Sequence, residues 1–148
     1  MAAPVTMLAR ACALALCVML AAGCSGSSSS GTPTHGGATI RVNEKDFHIS
    51  LSPDVVSAGT VELVDHNLGP DTHELIVVRA DDRRLPLRAD GVTLNEQALK
   101  PLTVGSLDGE PPGTVHTLVL HLRPGRYVLF CNMLGHYLGG MHAELIVR

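Results

Sequence analysis

The chain has no tryptophan, and only two tyrosines and two phenylalanines among its 148 residues. A core that lacks large rings must be filled by Val, Leu and Ile, residues at home on the pleated surface of strands. Charge is also sparse, with 17% of residues charged and a formal net charge of −3. A weakly acidic balance without a basic stripe excludes nucleic-acid binding through the phosphate backbone. Long apolar runs are missing as well. The longest, Ala11 to Ala22, falls short of the roughly 18 residues that a dependable membrane span needs.

That run follows Arg10, precedes every acidic residue and ends in Gly23-Cys24. This is the pattern of a secretory signal. No arginine pair precedes it, which points to general secretion. Leu20-Ala21-Ala22-Gly23-Cys24 resembles the bacterial lipoprotein signal, in which cleavage precedes a lipid-modified cysteine. The resemblance implies that residues 1–23 are removed and that Cys24 carries the lipid. From Cys24 to Gly37 the chain is rich in Ser and Gly, with His35 as a polar linker residue. Such a segment has nothing to bury and behaves as a flexible tether spanning roughly 20 Å. Residues 38–148 are the expected folded domain.

Cysteine arithmetic bears on that domain. Of the four cysteines, Cys12 and Cys17 leave with the signal and Cys24 is taken by lipid. Cys131 is then the sole thiol of an exported protein, with no partner for a disulfide. It is either an inert buried residue or a reactive or metal-bound one.

Within the domain the hydrophobic pattern alternates with period two. Thr39 to Asn43 and Phe47 to Leu51 read as half-buried strands, with Phe47, Ile49 and Leu51 on one face and His48 on the solvent face. Thr60 to Asp65 is a further strand, closed by the loop His66-Asn67-Leu68-Gly69-Pro70-Asp71-Thr72. His73 opens the next strand, through Val78, so its side chain is held by rigid backbone beside a tight loop. The stretch from Arg79 to Gly113 reads as a surface excursion with a charged cluster at Asp81 to Arg84 and a short helical turn near Asn95 to Leu99. Thr114 to Leu122 is strongly strand-like, with Leu118, Leu120 and Leu122 on one face. Arg123-Pro124-Gly125-Arg126 has type II turn chemistry, which predicts that Tyr127 to Cys131 pairs back antiparallel. Ala143 to Val147 is the last strand. Short strands, turn signals and little helix predict an all-β fold, a single-domain Greek-key β-sandwich.

The stretch Phe130 to Met141 carries the chemistry. A thiolate, an imidazole and a thioether fall at Cys131, His136 and Met141, with four residues in each gap, in a loop punctuated by Gly135, Gly139 and Gly140. This is a soft-metal ligand set. Cys and Met favour copper, imidazole suits copper or zinc, and two His with one Cys and a weak axial Met form the blue-copper arrangement. The loop offers one imidazole, so a second must come from elsewhere in the chain.

Three features give the domain a family likeness. Asn67-Leu68-Gly69-Pro70-Asp71-Thr72-His73 resembles the segment that supplies the first ligand in the cupredoxins, the small blue-copper proteins that include plastocyanin, azurin, auracyanin, rusticyanin and sulfocyanin. Leu122 to Tyr127 resembles the turn before their cysteine strand. The Cys131, His136 and Met141 spacing is that of the auracyanin, rusticyanin and sulfocyanin members, and Leu134 stands where many related loops carry proline. The resemblance implies one type 1 copper held by His73, Cys131, His136 and Met141, with Asn67 bracing the two ligand loops. It also implies an apolar patch of Met133, Leu134, Tyr137 and Leu138 around His136. His142 is expected to point away from the site, and His66, His116 and His121 to be structural or exposed.

The function implied is single-electron carriage by a monomer. The expected protein is lipid-anchored to a membrane and faces the extracytoplasmic side of the cell envelope. Its expected partners are transient redox proteins of a respiratory chain, and no nucleic acid. No His-x-His pair is present, as the trinuclear centre of a multicopper oxidase would need, and Gly135 stands where a binuclear copper-A site needs its second cysteine. A metal with four protein ligands leaves no position for substrate, so no enzyme activity is expected. The alternative is a copper-binding lipoprotein for sequestration, sensing or delivery, with Met133 and His142 as spare donors.

Overall fold

A computed structural model describes residues 37–80 and 84–148. The expected signal, Cys24 and the tether up to residue 36 lie outside the described residues, as do Asp81, Asp82 and Arg83. The described chain is built from strands β1 (Ala38–Lys45), β2 (His48–Ser52), β3 (Val55–Val56), β4 (Gly59–Asn67), β5 (His73–Arg79), β6 (Thr103–Glu110), β7 (Val115–Leu122), β8 (Gly125–Phe130) and β9 (His142–Val147). One helical turn, α1 (Glu96–Leu99), is capped by Asn95, whose side chain accepts from the Ala98 N–H. The strands form two mixed sheets, ordered β2-β1-β4-β7 and β3-β9-β8-β5-β6. This is the expected all-β sandwich. Among the described residues no helix is long and apolar enough to cross a membrane.

Period-two alternation decides what each strand buries. In β1, Ile40 and Val42 point inward, and in β4 Val61 and Leu63 do the same. β5 and β8 instead read as unbroken apolar runs, because both of their faces are covered. Leu75, Val77 and Leu129 enter the sandwich, while Ile76, Val78, Val128 and Phe130 pack beneath Leu85, Leu94 and Leu99 of the excursion. The excursion therefore closes a second small core. Cys131 and Met141 belong to the main one.

Three expectations are corrected. Phe47 is not a strand residue: it sits in the two-residue turn between β1 and β2 with φ of 60°, half-exposed. β7 and β8 do not pair, since β7 joins β4 in one sheet while β8 joins β5 and β9 in the other. Residues 123–125 are a corner between sheets, and Gly125 has φ of 154°, far from the +80° or so of a type II turn. The Tyr127 hydroxyl clamps the corner, donating to the Arg123 carbonyl at 2.9 Å and accepting from its N–H at 3.2 Å. Finally, part of the excursion is a strand. β6 is a mostly exposed edge with two glycines, so it has no alternation to announce it.

Two acids break the apolar pattern of the first sheet. Glu44 and Asp65 both point inward and are almost fully buried, and Glu44 Oε1 and Asp65 Oδ1 have no hydrogen-bond partner. Burial, and then the charge of Asp65, pushes Glu44 up to about 9, and burial pushes Asp65 up to about 6. Between pH 4.5 and about 9 the folded chain thus keeps a proton on Glu44 that the unfolded chain releases. Folding is favoured by this group at low pH, and the contribution is lost as pH rises through 9. Each pKa unit corresponds to about 1.4 kcal/mol. The expected result is a stability at least ~1 kcal/mol lower at pH 9 than at pH 6, with the slope flattened in Glu44→Gln. Urea unfolding at the two pH values measures it, and an equal slope in both proteins would refute the assignment.

Candidate metal centre

The site forms at one end of the sandwich, where β4 and β8 end and β5 begins. β4 ends in Asn67, which is buried. Its Oδ1 accepts from Gly69 N at 2.7 Å, and its Nδ2 donates to the carbonyls of Asp71 (3.0 Å) and Glu110 (2.7 Å). Gly69 takes φ of 70°, a left-handed conformation that costs glycine least. These bonds fold residues 67–72 into a fixed approach to His73, the first residue of β5. His73 is 1% exposed.

β8 delivers Cys131 immediately after its last residue. The following loop is wound on itself by backbone bonds: His136 N to Met133 O (2.9 Å), Gly139 N to Gly135 O (2.9 Å), Gly140 N to Tyr137 O (3.0 Å) and Met141 N to His136 O (3.0 Å). Cys131 N closes it by donating to Met141 O at 3.2 Å. Gly135 and Gly140, at φ of 79° and 110°, make the turns that this winding requires. The loop is held without a proline at Leu134.

The structure brings three predicted donors together. The donor atoms of His73, Cys131 and His136 all lie within 4.8 Å of one another, and all three residues are buried. Cys131 Sγ is 3.5 Å from His136 Nδ1, and the two imidazole rings stand 5.2 Å apart at 61°. Met141 is fully buried in the same core cluster as Cys131 and is tied to it through the backbone. Among the described residues nothing satisfies His73 Nδ1, and Nε2 has only a contact at 3.1 Å with Asp46 Oδ1, not aligned as a hydrogen bond. A buried imidazole with an unused lone pair, next to a buried thiol, fits a metal ligand. With the thioether of Met141 completing a soft donor set, the residues fit a single type 1 copper site.

Electrostatics agree with that use. Burial lowers the pKa of His73, and the neighbouring His136 lowers it further, against the opposing pull of Asp46. The imidazole is kept neutral, as a ligand must be. Burial pushes the Cys131 thiol up to about 11, assisted by the charges of Glu44 and Glu74 and opposed by the backbone N–H groups of Glu74 and Met133. Without metal the thiol holds its proton, and metal binding must displace it.

Sequence reasoning misses four residues around the donors. Asn67 braces the loop before His73 and the end of β6, and makes no bond to the 131–141 loop. The link between the two ligand segments is instead Glu74, whose Oε1 accepts from Asn132 N at 3.2 Å. Asn132 in turn grips the excursion: Oδ1 accepts from Leu94 N (2.6 Å), and Nδ2 donates to Leu94 O (3.2 Å) and Glu96 Oε1 (2.7 Å). Asp46 and Phe47 reach the site from the β1–β2 turn. Adjacency to His73 and Cys131 is the only signal that could have singled out Glu74 and Asn132, and it is the β1–β4 pairing, with Glu44 opposite Asn67, that brings Asp46 near.

The expected apolar patch divides. Leu134 and Leu138 are 76% and 52% exposed, whereas Met133 packs on the main core and Tyr137 on the second, against Phe130 and His142. Phe47 adds to the exposed part, 51% accessible and edge-on to His136 at 5.4 Å. His142 is exposed and outside the donor cluster. His66 lies against Arg41, His116 contacts Glu110, and His121 is exposed.

No protein-family model and no curated protein matches the chain, but solved structures do. The sandwich is similar to an auracyanin from Roseiflexus castenholzii, at 19% identity with a TM-score of 0.59, covering 75% of this chain and 97% of that one. It is similar to auracyanin A, a "blue" copper protein from Chloroflexus aurantiacus, at 18% identity and a TM-score of 0.54, over 76% of this chain and 100% of the other. Rusticyanin from Thiobacillus ferrooxidans matches at 17% identity and a TM-score of 0.51, over 76% and 79%. At these identities the likeness establishes the fold, which is that of the cupredoxins.

Proposed function

We propose that this cupredoxin-fold chain is a type 1 copper protein that carries single electrons between redox proteins outside the cytoplasm. The observation that carries the reading is the buried cluster of His73, Cys131 and His136 with Met141 beside it. Copper bound there supplies a one-electron couple in which a cysteine thiolate contributes strong covalency. The chain does the rest. Its backbone bonds fix the 67–72 and 131–141 segments, so both imidazoles and the thiolate stay in place when charge changes, and little rearrangement means fast exchange. Burial excludes water from the donors. Four protein donors leave no place for a substrate, which favours carriage over catalysis. The test is direct: the purified protein with one equivalent of Cu(II) turns intensely blue or green and cycles reversibly with one electron. A colourless complex would end the reading.

Exchange with partners is assigned to the exposed part of the patch. Leu134 and Leu138 project beside His136, and small apolar contacts suit short-lived complexes. Replacing Leu134 or Leu138 by Asp is expected to slow electron self-exchange about tenfold, the equivalent of ~1.4 kcal/mol, and to leave the visible spectrum unchanged. Rates equal to wild type would move the docking surface elsewhere. Lipid on Cys24, a tether from 24 to 37 and respiratory partners complete the proposal. Metabolic labelling with a fatty acid, lost in Cys24→Ala, tests the anchor.

Copper sequestration or delivery without redox cycling is the competing use of the same donors. Its spare ligands find no support in the geometry, because Met133 is packed on the core and His142 lies against Tyr137.

A further inference from the structure

The turn between β1 and β2 is an odd place for a phenylalanine. Phe47 takes φ of 60°, a region that costs an ordinary L-residue about 1–2 kcal/mol and that Asn or Gly fills more easily. Its ring is also half-exposed, so burial alone does not explain it. Strain of this kind persists where the surroundings use it. Here the ring stands edge-on to His136 at 5.4 Å and lies so close over Gly139 that a side chain there would collide with Phe47 Cδ1; a Cβ on Gly140 would meet the Phe47 carbonyl oxygen at 3.2 Å.

The preceding residue reaches the other imidazole. Asp46 Oδ1 accepts from Asp71 N at 3.3 Å and stands 3.1 Å from His73 Nε2. Among the described residues neither nitrogen of His73 has a hydrogen-bond partner, but a carboxylate oxygen stands close to Nε2 and none is paired with Nδ1. A carboxylate at Nε2 selects the tautomer with the proton on that nitrogen and leaves the lone pair on Nδ1.

Resting on the metal reading of the site, we propose that Asp46-Phe47 is a clip that orients both imidazole donors. The nearby Asp46 carboxylate favours the proton on His73 Nε2, which would leave the Nδ1 lone pair for a metal, and Phe47 presses the loop carrying His136 into place. Neither residue belongs to the donor cluster; both are positioning residues that would act through a ligand. The fixed negative charge of Asp46, one imidazole away, also favours Cu(II) over Cu(I).

Three variants of the full chain test this. Asp46→Asn keeps a carbonyl oxygen for Asp71 N and His73 but removes the charge. Relative affinity for Cu(II) over Cu(I) is expected to fall about tenfold, read as a rise of about 59 mV in reduction potential. Asp46→Ala removes the acceptor as well. Long-range proton–nitrogen NMR of the metal-free, histidine-labelled chain is expected to show one His73 tautomer in wild type and Asp46→Asn, and a mixture in Asp46→Ala. Phe47→Asn suits the turn and leaves Asp46 in place. It is expected to speed hydrogen exchange at the Gly139 and Met141 amides about tenfold while His73 stays in its single tautomer. A single tautomer in Asp46→Ala, an unshifted potential in Asp46→Asn, or unchanged exchange in Phe47→Asn would each overturn the corresponding arm of the clip. The tautomer and exchange readouts need no metal. A wild-type chain that takes up no copper would therefore sink the metal reading separately, leaving the clip to stand or fall on its own data.

Discussion

Cys131→Ser is expected to abolish the intense visible absorption of the Cu(II) protein outright. The colour arises from charge transfer between thiolate sulfur and Cu(II), and Cys131 is the free cysteine of the described domain, fully buried with its Sγ 3.5 Å from His136 Nδ1. A hydroxyl in its place is harder, less covalent and far less acidic, so copper held by the remaining donors would be pale. The fold should survive, because serine is smaller and Cys131 N keeps its bond to Met141 O. Absorption spectra on copper titration measure the loss, and circular dichroism checks the fold. A Cys131→Ser protein that remained blue would show that the donor set is wrong. Uptake also has a proton balance: the thiol, pushed up to about 11 by burial, must release its proton, so apparent affinity for metal is expected to rise with pH.

Asn67→Ala is expected to be the costliest single change to the scaffold. The side chain satisfies three backbone groups, Gly69 N, Asp71 O and Glu110 O, in a place that is 3% exposed. Alanine leaves those groups without partners, at a cost of roughly 2–4 kcal/mol, or a fall in Tm on the order of 10 °C for a domain of this size. Thermal unfolding of the metal-free protein measures it independently of copper. Asn67→Asp keeps the Oδ1 acceptor for Gly69 N but turns a buried carboxylate oxygen onto the Asp71 and Glu110 carbonyls, so it is expected to give no rescue over alanine. A Tm within ~2 °C of wild type in Asn67→Ala would mean that the loop before His73 is held by other contacts.

The inward-facing acids are where local reasoning fails most instructively. Glu44 and Asp65 sit on strands whose alternation is otherwise regular, so polarity alone places them on the wrong face. Register with Ile40 and Val42, and with Val61 and Leu63, carries them inward instead. The second core escapes notice for a related reason. β5 and β8 read as apolar runs, and periodicity does not say what covers their far side. Leu85, Leu94 and Leu99 do so, from a stretch that reads as a surface excursion.

The donor spacing at Cys131, His136 and Met141 was legible because ligands in one loop are local, and the chemistry of sulfur and imidazole is intrinsic to the side chains. Strand positions were legible wherever one face meets solvent and the other the core, since alternation then writes burial into the sequence. The amino-acid sequence by itself determined a small sandwich, a soft-metal loop and the candidate first imidazole at His73. Tertiary structure alone decided the rest. It placed β7 and β8 in different sheets, made a strand of Thr103–Glu110, gave Glu74 and Asn132 the link between the ligand segments, and set Asp46 and Phe47 over the two imidazoles. Each of these depends on which strands meet and in what register, and long-range pairing leaves no mark on the residues near each partner in the chain.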